Sequence, residues 1–124
     1  MIKGIGIDAI EINRLKLLID DYQEHAIERL FTKKEIENCQ GQKIKYYYYS
    51  GRFAAKEAAM KALGEGLRSG ISWQEIEITN DKKGKPILNF YGKALKYAKR
   101  KKVTKIEVSI SHSKTIAVAV VILF

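Results

Sequence analysis

Residues 116–123, IAVAVVIL, contain no polar side chain in eight consecutive positions. Side chains of a strand alternate between its two faces, so such a run needs both faces covered. In a chain of 124 residues this leaves two arrangements: a central strand, or a strand pressed against another subunit. Residues 105–111 alternate apolar and polar positions just upstream, and the HSKT between the two runs reads as the turn of a hairpin.

The remaining patterns place helices ahead of this hairpin. Residues 2–7, IKGIGI, set Ile2, Ile5 and Ile7 among small or polar positions and predict a short strand. Its two glycines suit the close approach of another backbone or a ligand. Asp8 and Glu11 have the spacing of a capping box, which predicts a helix opening there, with Ile12, Leu15, Leu18 and Ile19 at helical intervals. DDYQEH (20–25) interrupts the pattern, and Ala26, Ile27, Leu30 and Phe31 resume it. Thr32 and Glu35 form a second capping box at the head of a short helix that fades near Gly41. Helix propensity is high from Arg52 to Leu63, and Gly64, Gly66 and Gly70 mark a loop behind it. Residues 75–79 alternate as a half-buried strand, NDKKGKP (80–86) is a turn, and ILNF (87–90) is the return strand. Residues 91–101 predict a basic helix with Leu95 and Ala98 on its inner side. Strand, helices, then antiparallel strands is the order of a two-layer α+β fold, read here as one domain over residues 1–124.

Charge and cysteine content narrow the function classes. Twenty-three Lys and Arg against fourteen Asp and Glu leave a formal charge of +9. That excess calls for an anionic partner: nucleic acid, a phosphorylated ligand or an acidic protein. A single cysteine, Cys39, excludes an intrachain disulfide and suits a reducing, cytoplasmic setting. No run of about 18 apolar residues is available to cross a membrane. Residues 1–12 also lack the apolar core and cleavage site of a signal peptide. Four consecutive tyrosines, 46–49, follow closely on lysines. They could stack on bases, or face core, solvent and a neighbour in succession around a helix turn.

Zinc signatures are absent, there being no CxxC and no HExxH. A magnesium site asks for less: one or two carboxylates, completed by substrate phosphates and water. Asp8, closing the glycine-bearing strand, and Glu57, on the alanine-rich helix, are candidates. Each has a plainer reading. Asp8 could cap a helix, and Glu57 could pair with Lys61 at i,i+4 for about 0.2–0.5 kcal/mol. His112 lies at the hairpin turn, where rigid strands often present ligand contacts, whereas His25 reads as a solvated helix residue. LGEGLRSG (63–70) follows a helix rather than preceding one, so no helix N-terminus cradles a phosphate there.

Three stretches taken together, GIGIDAIEINR (4–14), GRFAAKEAAMKALGEG (51–66) and SISHS (109–113), resemble the acyl-carrier-protein synthase family, the small type of 4′-phosphopantetheinyl transferase. KGKP (83–86) lies between the last two, where that family carries a similar turn. The likeness covers essentially the whole chain, and F-x-x-K-E-A-x-x-K-A is its most specific part. The resemblance implies the fold of that family and an enzyme that moves 4′-phosphopantetheine from coenzyme A to a serine of apo acyl carrier protein. The reaction releases 3′,5′-ADP and belongs to fatty acid biosynthesis. It implies a magnesium ion, with manganese as a substitute, on Asp8 and Glu57. Lys61 would be a mobile charge on the phosphates, and Glu57, or a water it orients, would take the serine proton. Coenzyme A contacts are implied at Arg52, Lys61, Gly64, Gly66, Lys85, Pro86, Ser111, His112 and Ser113, with Arg52, Lys85, Ser111, His112 and Ser113 holding its nucleotide. Carrier-protein docking is implied on the first helix, at Arg14, Lys16 and Leu18. A homotrimer with coenzyme A held between adjacent subunits is implied as well, with neither nucleic acid nor membrane as a partner. One departure stands out: DDYQEH is acidic where relatives carry basic residues, leaving Arg14, Lys16, Arg29, Lys33 and Lys34 for the acidic partner.

Overall fold

Glycine and alanine set the spacing between the two layers. In the computed structural model, which describes residues 1–40 and 44–124, the chain opens with β1 (Gly4–Glu11). Three short helices follow: α1 (Ile12–Tyr22), α2 (Glu24–Leu30) and α3 (Lys33–Cys39). The long α4 (Lys45–Leu63) comes next, then 3-10 turns at Leu67–Ser69 and Trp73–Glu75. β2 (Ile76–Asn80), β3 (Pro86–Phe90), α5 (Gly92–Arg100), β4 (Ile106–His112) and β5 (Ile116–Leu123) complete the order. The α+β reading holds.

β5 is the centre of a three-stranded antiparallel sheet ordered β1-β5-β4, and β2 and β3 form a separate hairpin. The run apolar on both faces is therefore a central strand. Register pairs Gly6 with Val121 and Asp8 with Ala119 on one side, and Val108 with Val121 on the other. The inner face of this sheet is covered by α4, whose Ala54, Ala55, Ala58, Ala59, Ala62 and Leu63 are all buried. Contact is so close that a Cβ on Gly4 would collide with the carbonyl oxygen of Ala62, and one on Gly6 with that of Ala58. The two glycines of IKGIGI thus serve the approach of another backbone. Ile5 and Ile7 point the other way and stay 62% exposed each.

A second core gathers α1, α2, α3 and the start of α4 around Leu15, Ile19, Leu30, Phe31, Cys39 and Tyr49. A buried ion pair joins it to the sheet side. Lys56 on α4 and Glu35 on α3 are 1% and 0% exposed, with Nζ 2.7 Å from Oε1. Lys56 also donates to the carbonyls of Trp73 (2.9 Å) and Ile76 (2.6 Å), and Glu35 Oε2 accepts the Ile78 amide at 2.9 Å. Burial lowers the Lys56 ammonium below lysine's ordinary range, against the pull of Glu35. The same glutamate completes the capping box with Thr32, so one residue both starts α3 and fixes α4 against β2.

Four local expectations are corrected. Asp8 and Glu11 are no capping box: β1 runs through Glu11, and α1 starts at Ile12 without a side-chain cap. The eight-residue ladder with β5 outweighs a single capping interaction. α4 starts at Lys45, seven positions before the stretch of high propensity, because Tyr49 is buried against Phe31 at 4.5 Å and tertiary packing overrides propensity. On α5, Ala94 and Ala98 form the buried row, while Leu95, about 100° round the helix from Ala94, is exposed. The return strand begins at Pro86 rather than Ile87. The fading of α3 near Gly41 lies outside the described residues.

Candidate active site

A helix turns about 100° per residue, so α4 presents different rows to different neighbours. Phe53, Glu57 and Lys61, four apart, form one row. It faces Asp8, which β1 carries on the same side as Gly4 and Gly6. Lys61 Nζ lies 3.0 Å from Asp8 Oδ1 and donates to the Ile7 carbonyl at 3.1 Å. Lys61 is 56% exposed and Asp8 12%. Among the described residues, the ion pair of Lys61 runs to Asp8 and not along the helix to Glu57, so the surface i,i+4 pair is replaced by a cross-element one.

Glu57 sits against Asp8 in an open cleft of about 590 Å³ that also takes in Arg14, Leu18, Phe53 and Glu11. Burial, then the charge and proximity of Asp8, push the Glu57 carboxyl above the usual carboxylate range, while Lys61 and Arg14 pull it partly back. Two carboxylates held face to face repel unless a proton or a cation lies between them, and that is the donor chemistry of a hard divalent ion. Among the described residues no third His, Cys, Asp or Glu joins them. The pair fits an ion such as Mg²⁺ that completes its shell with water and phosphate oxygens.

Behind this row, Gly64 ends α4 in the left-handed region at φ 73°, which only glycine adopts freely. Gly66 differs, since a Cβ there would make only ordinary contact with Met60 at 3.7 Å. Of the three expected docking residues, Arg14 and Leu18 line the cleft. Lys16 does not line it; its ammonium stands 5.6 Å over the Tyr46 ring.

The other expected contacts form a second group. Arg52 is five residues before Glu57, hence about 140° away around α4, and its guanidinium reaches Asn80 Oδ1. Asn80 Nδ2 in turn donates to the Gly84 carbonyl at 2.8 Å, closing the turn that carries Lys85 and Pro86. Lys85 pairs with Glu107 of β4 at 3.3 Å. Glu107 is five residues from His112, roughly 17 Å along the strand, so Lys85 and His112 are not neighbours. Ser111 is exposed near the end of β4, and Ser113 Oγ accepts the amides of Thr115 and Ile116 at 3.3 and 3.2 Å, which makes it the turn-former of HSKT. One chain therefore carries the carboxylates with Lys61 on one side of α4 and Arg52 with the β4 group on another.

The family model described as the 4′-phosphopantetheinyl transferase superfamily matches residues 4–121. This chain belongs to that superfamily. Within it, the holo-[acyl-carrier-protein] synthase of Geobacter sulfurreducens is 46% identical over 123 residues, covering 99% of this chain and 98% of that protein. Among solved structures, holo-[acyl-carrier-protein] synthase from Neisseria meningitidis superposes with a TM-score of 0.90 at 33% identity, over 100% of this chain and 99% of that one. The Bacillus anthracis enzyme, solved in complex with coenzyme A (3′,5′-ADP), gives 0.81 at 41% identity over 99% and 96%. The resemblance carried by GIGIDAIEINR, GRFAAKEAAMKALGEG and SISHS is borne out for a phosphopantetheinyl transferase of the α+β kind. Residues that sequence spacing passed over include Asn80, which holds Arg52, and the Glu35–Lys56 pin. Only the capping box at Thr32 hinted that Glu35 matters.

Proposed function

We propose that this chain is a magnesium-dependent holo-[acyl-carrier-protein] synthase, with manganese able to substitute, acting in the cytoplasm in fatty acid biosynthesis as one transferase domain over 1–124. The observation that carries the reading is the confrontation of Asp8 and Glu57 beside Arg14 and Lys61, in a chain of this superfamily. The reaction is the attack of a carrier-protein serine oxygen on the β-phosphorus of coenzyme A. The bond from that phosphorus to the oxygen of 3′,5′-ADP breaks, and the serine proton leaves. Glu57, or a water it orients, would take that proton. Asp8 and Glu57 would hold the divalent ion. Bound there, it would neutralise charge on the pyrophosphate and on the departing ADP. Lys61, on a long exposed side chain, follows the phosphates as a point charge.

Coenzyme A binding at Arg52, Lys85, Pro86, Ser111, His112 and Ser113 belongs to the same proposal. These residues and the carboxylates occupy different sides of α4, which supports a ligand shared between adjacent subunits. A homotrimer would supply both halves, and the outer face of the β1-β5-β4 sheet is suited to form it. Ile5, Ile7 and Ile116 are exposed there, beside the half-buried Val118, Val120 and Ile122. Carrier-protein docking falls on α1 through Arg14 and Leu18, and Leu18 also borders a groove with Tyr22, Arg29 and Trp73. Chromatographic detection of 3′,5′-ADP, released only when apo carrier protein, coenzyme A and divalent metal are all present, tests the reaction. Release without the carrier protein would mean hydrolysis and refute it.

A further inference from the structure

The tyrosines at 46–49 face four different surroundings. Tyr49 is in the core. Tyr46 donates to Asp20 at 2.6 Å and ties α4 to α1. The two between them touch the groups assigned above to the nucleotide. The Tyr47 ring centroid is 4.7 Å from that of His112, tilted by 36°, and its hydroxyl donates to the Lys114 carbonyl at 3.2 Å. Arg52 lays its guanidinium carbon 3.9 Å from the Tyr48 ring centre while it reaches for Asn80.

This arrangement follows from two matched periodicities. Tyr47 and Gly51 are one turn apart on α4, and Ile110 and His112 are two apart on β4, so a helix row lies over one strand face. A Cβ on Gly51 would come within 2.9 Å of Ile110 Cγ2, so a larger residue would push the helix off the strand and lift Tyr47 from His112. His112 is exposed at the end of a strand, and Arg52 is a long side chain with many rotamers. Left alone, each would lose that freedom on binding a ligand. With one ring beside the imidazole and another under the guanidinium, much of that ordering precedes the ligand.

We propose that Tyr47 and Tyr48 are positioning residues of the coenzyme A nucleotide subsite, the Tyr47 ring holding His112 and Tyr48 holding Arg52. The proposal rests on the reading of His112 and Arg52 as nucleotide contacts. Calorimetric titration of the whole chain with 3′,5′-ADP and with coenzyme A, alongside steady-state kinetics, tests it. Tyr47→Leu should weaken binding about 3- to 10-fold, the range of an aromatic pair, and raise KM for coenzyme A with kcat within about twofold. Tyr47→Phe, which keeps the ring, should bind within about twofold of the parent. Tyr48→Leu should weaken binding about 3- to 30-fold, the range of a stacked guanidinium. Tyr47→Leu combined with His112→Ala should be no worse than His112→Ala alone, because a residue acting through the imidazole adds nothing once it is gone. The His112 Cε1 proton resonance should move in Tyr47→Leu and stay in Tyr47→Phe. Should the leucine variant not fold, Tyr47→Gln carries the same comparison. Parental affinity in Tyr47→Leu and Tyr48→Leu, with loss in His112→Ala and Arg52→Ala, would overturn the positioning role alone. Parental affinity in His112→Ala and Arg52→Ala as well would overturn the nucleotide reading beneath it.

Discussion

Glu57 is the side chain whose environment departs most usefully from that of an isolated carboxylate. Its proton is held more tightly in the folded chain than in the unfolded one, because burial and Asp8 disfavour the charge. The sign follows from linkage. Glu57's contribution to stability is fully present below the ordinary carboxylate range and is lost as pH rises through the elevated value. Glu57→Gln should therefore melt at the same temperature as the parent in acid and at a higher one near neutrality, by thermal scans without divalent metal. The same substitution should reduce transfer about 10²–10⁴-fold. Lys61 gives a second test. A divalent cation arriving at Asp8 competes with an ammonium 3.0 Å away. Lys61→Met should then bind Mn²⁺ more tightly by electron paramagnetic resonance titration, while transfer falls. Weaker Mn²⁺ binding would place Lys61 among the groups that help the ion rather than compete with it.

The elements that set up this site are held by small residues and by one buried charge pair. Removing half of such a pair leaves an uncompensated charge, so Glu35→Ala should cost about 3–5 kcal/mol in urea unfolding. The double change Glu35→Leu with Lys56→Met should recover only part of it, because the Ile78 amide and the Trp73 and Ile76 carbonyls lose their partners. How the elements form was legible wherever a local pattern agreed with its neighbours in space. The hairpin around HSKT, the box at Thr32 and the β2–β3 turn at Gly84 (φ 87°) all needed only nearby residues. Asp8 misled because a carboxylate before a helical pattern looks like a cap, whereas its position is decided by Ala119, which is remote in sequence. The sequence offered Asp8 and Glu57 as metal candidates beside plainer readings, and the likeness of three motifs was needed to choose between them. Their confrontation depends on glycines 4 and 6 letting β1 lie against Ala58 and Ala62. Tyr47 and Tyr48 carried no readable signal, since nothing in YYYY says which ring will meet His112.

As a whole the molecule is a strongly basic chain, +9 in formal charge, with an apolar sheet face turned outward. Association with an acidic carrier protein should weaken as salt screens the attraction, so KM for the carrier should rise several-fold from low salt to about 0.5 M. The outward isoleucines predict self-association, and the proposed homotrimer should sediment as three chains. Ile7→Lys should give a folded monomer that no longer binds coenzyme A, because the carboxylates and the Arg52 group would no longer meet across a boundary. The transfer itself is read most simply on the carrier. An apo carrier protein incubated with coenzyme A, magnesium and this chain should gain about 340 Da by intact mass spectrometry, the mass of one phosphopantetheinyl group passed in phosphoryl transfer. Chelation of the metal or Asp8→Asn should abolish the gain. A carrier mass that stays unchanged, in a mixture where coenzyme A binding to the chain has been verified, would contradict the assignment.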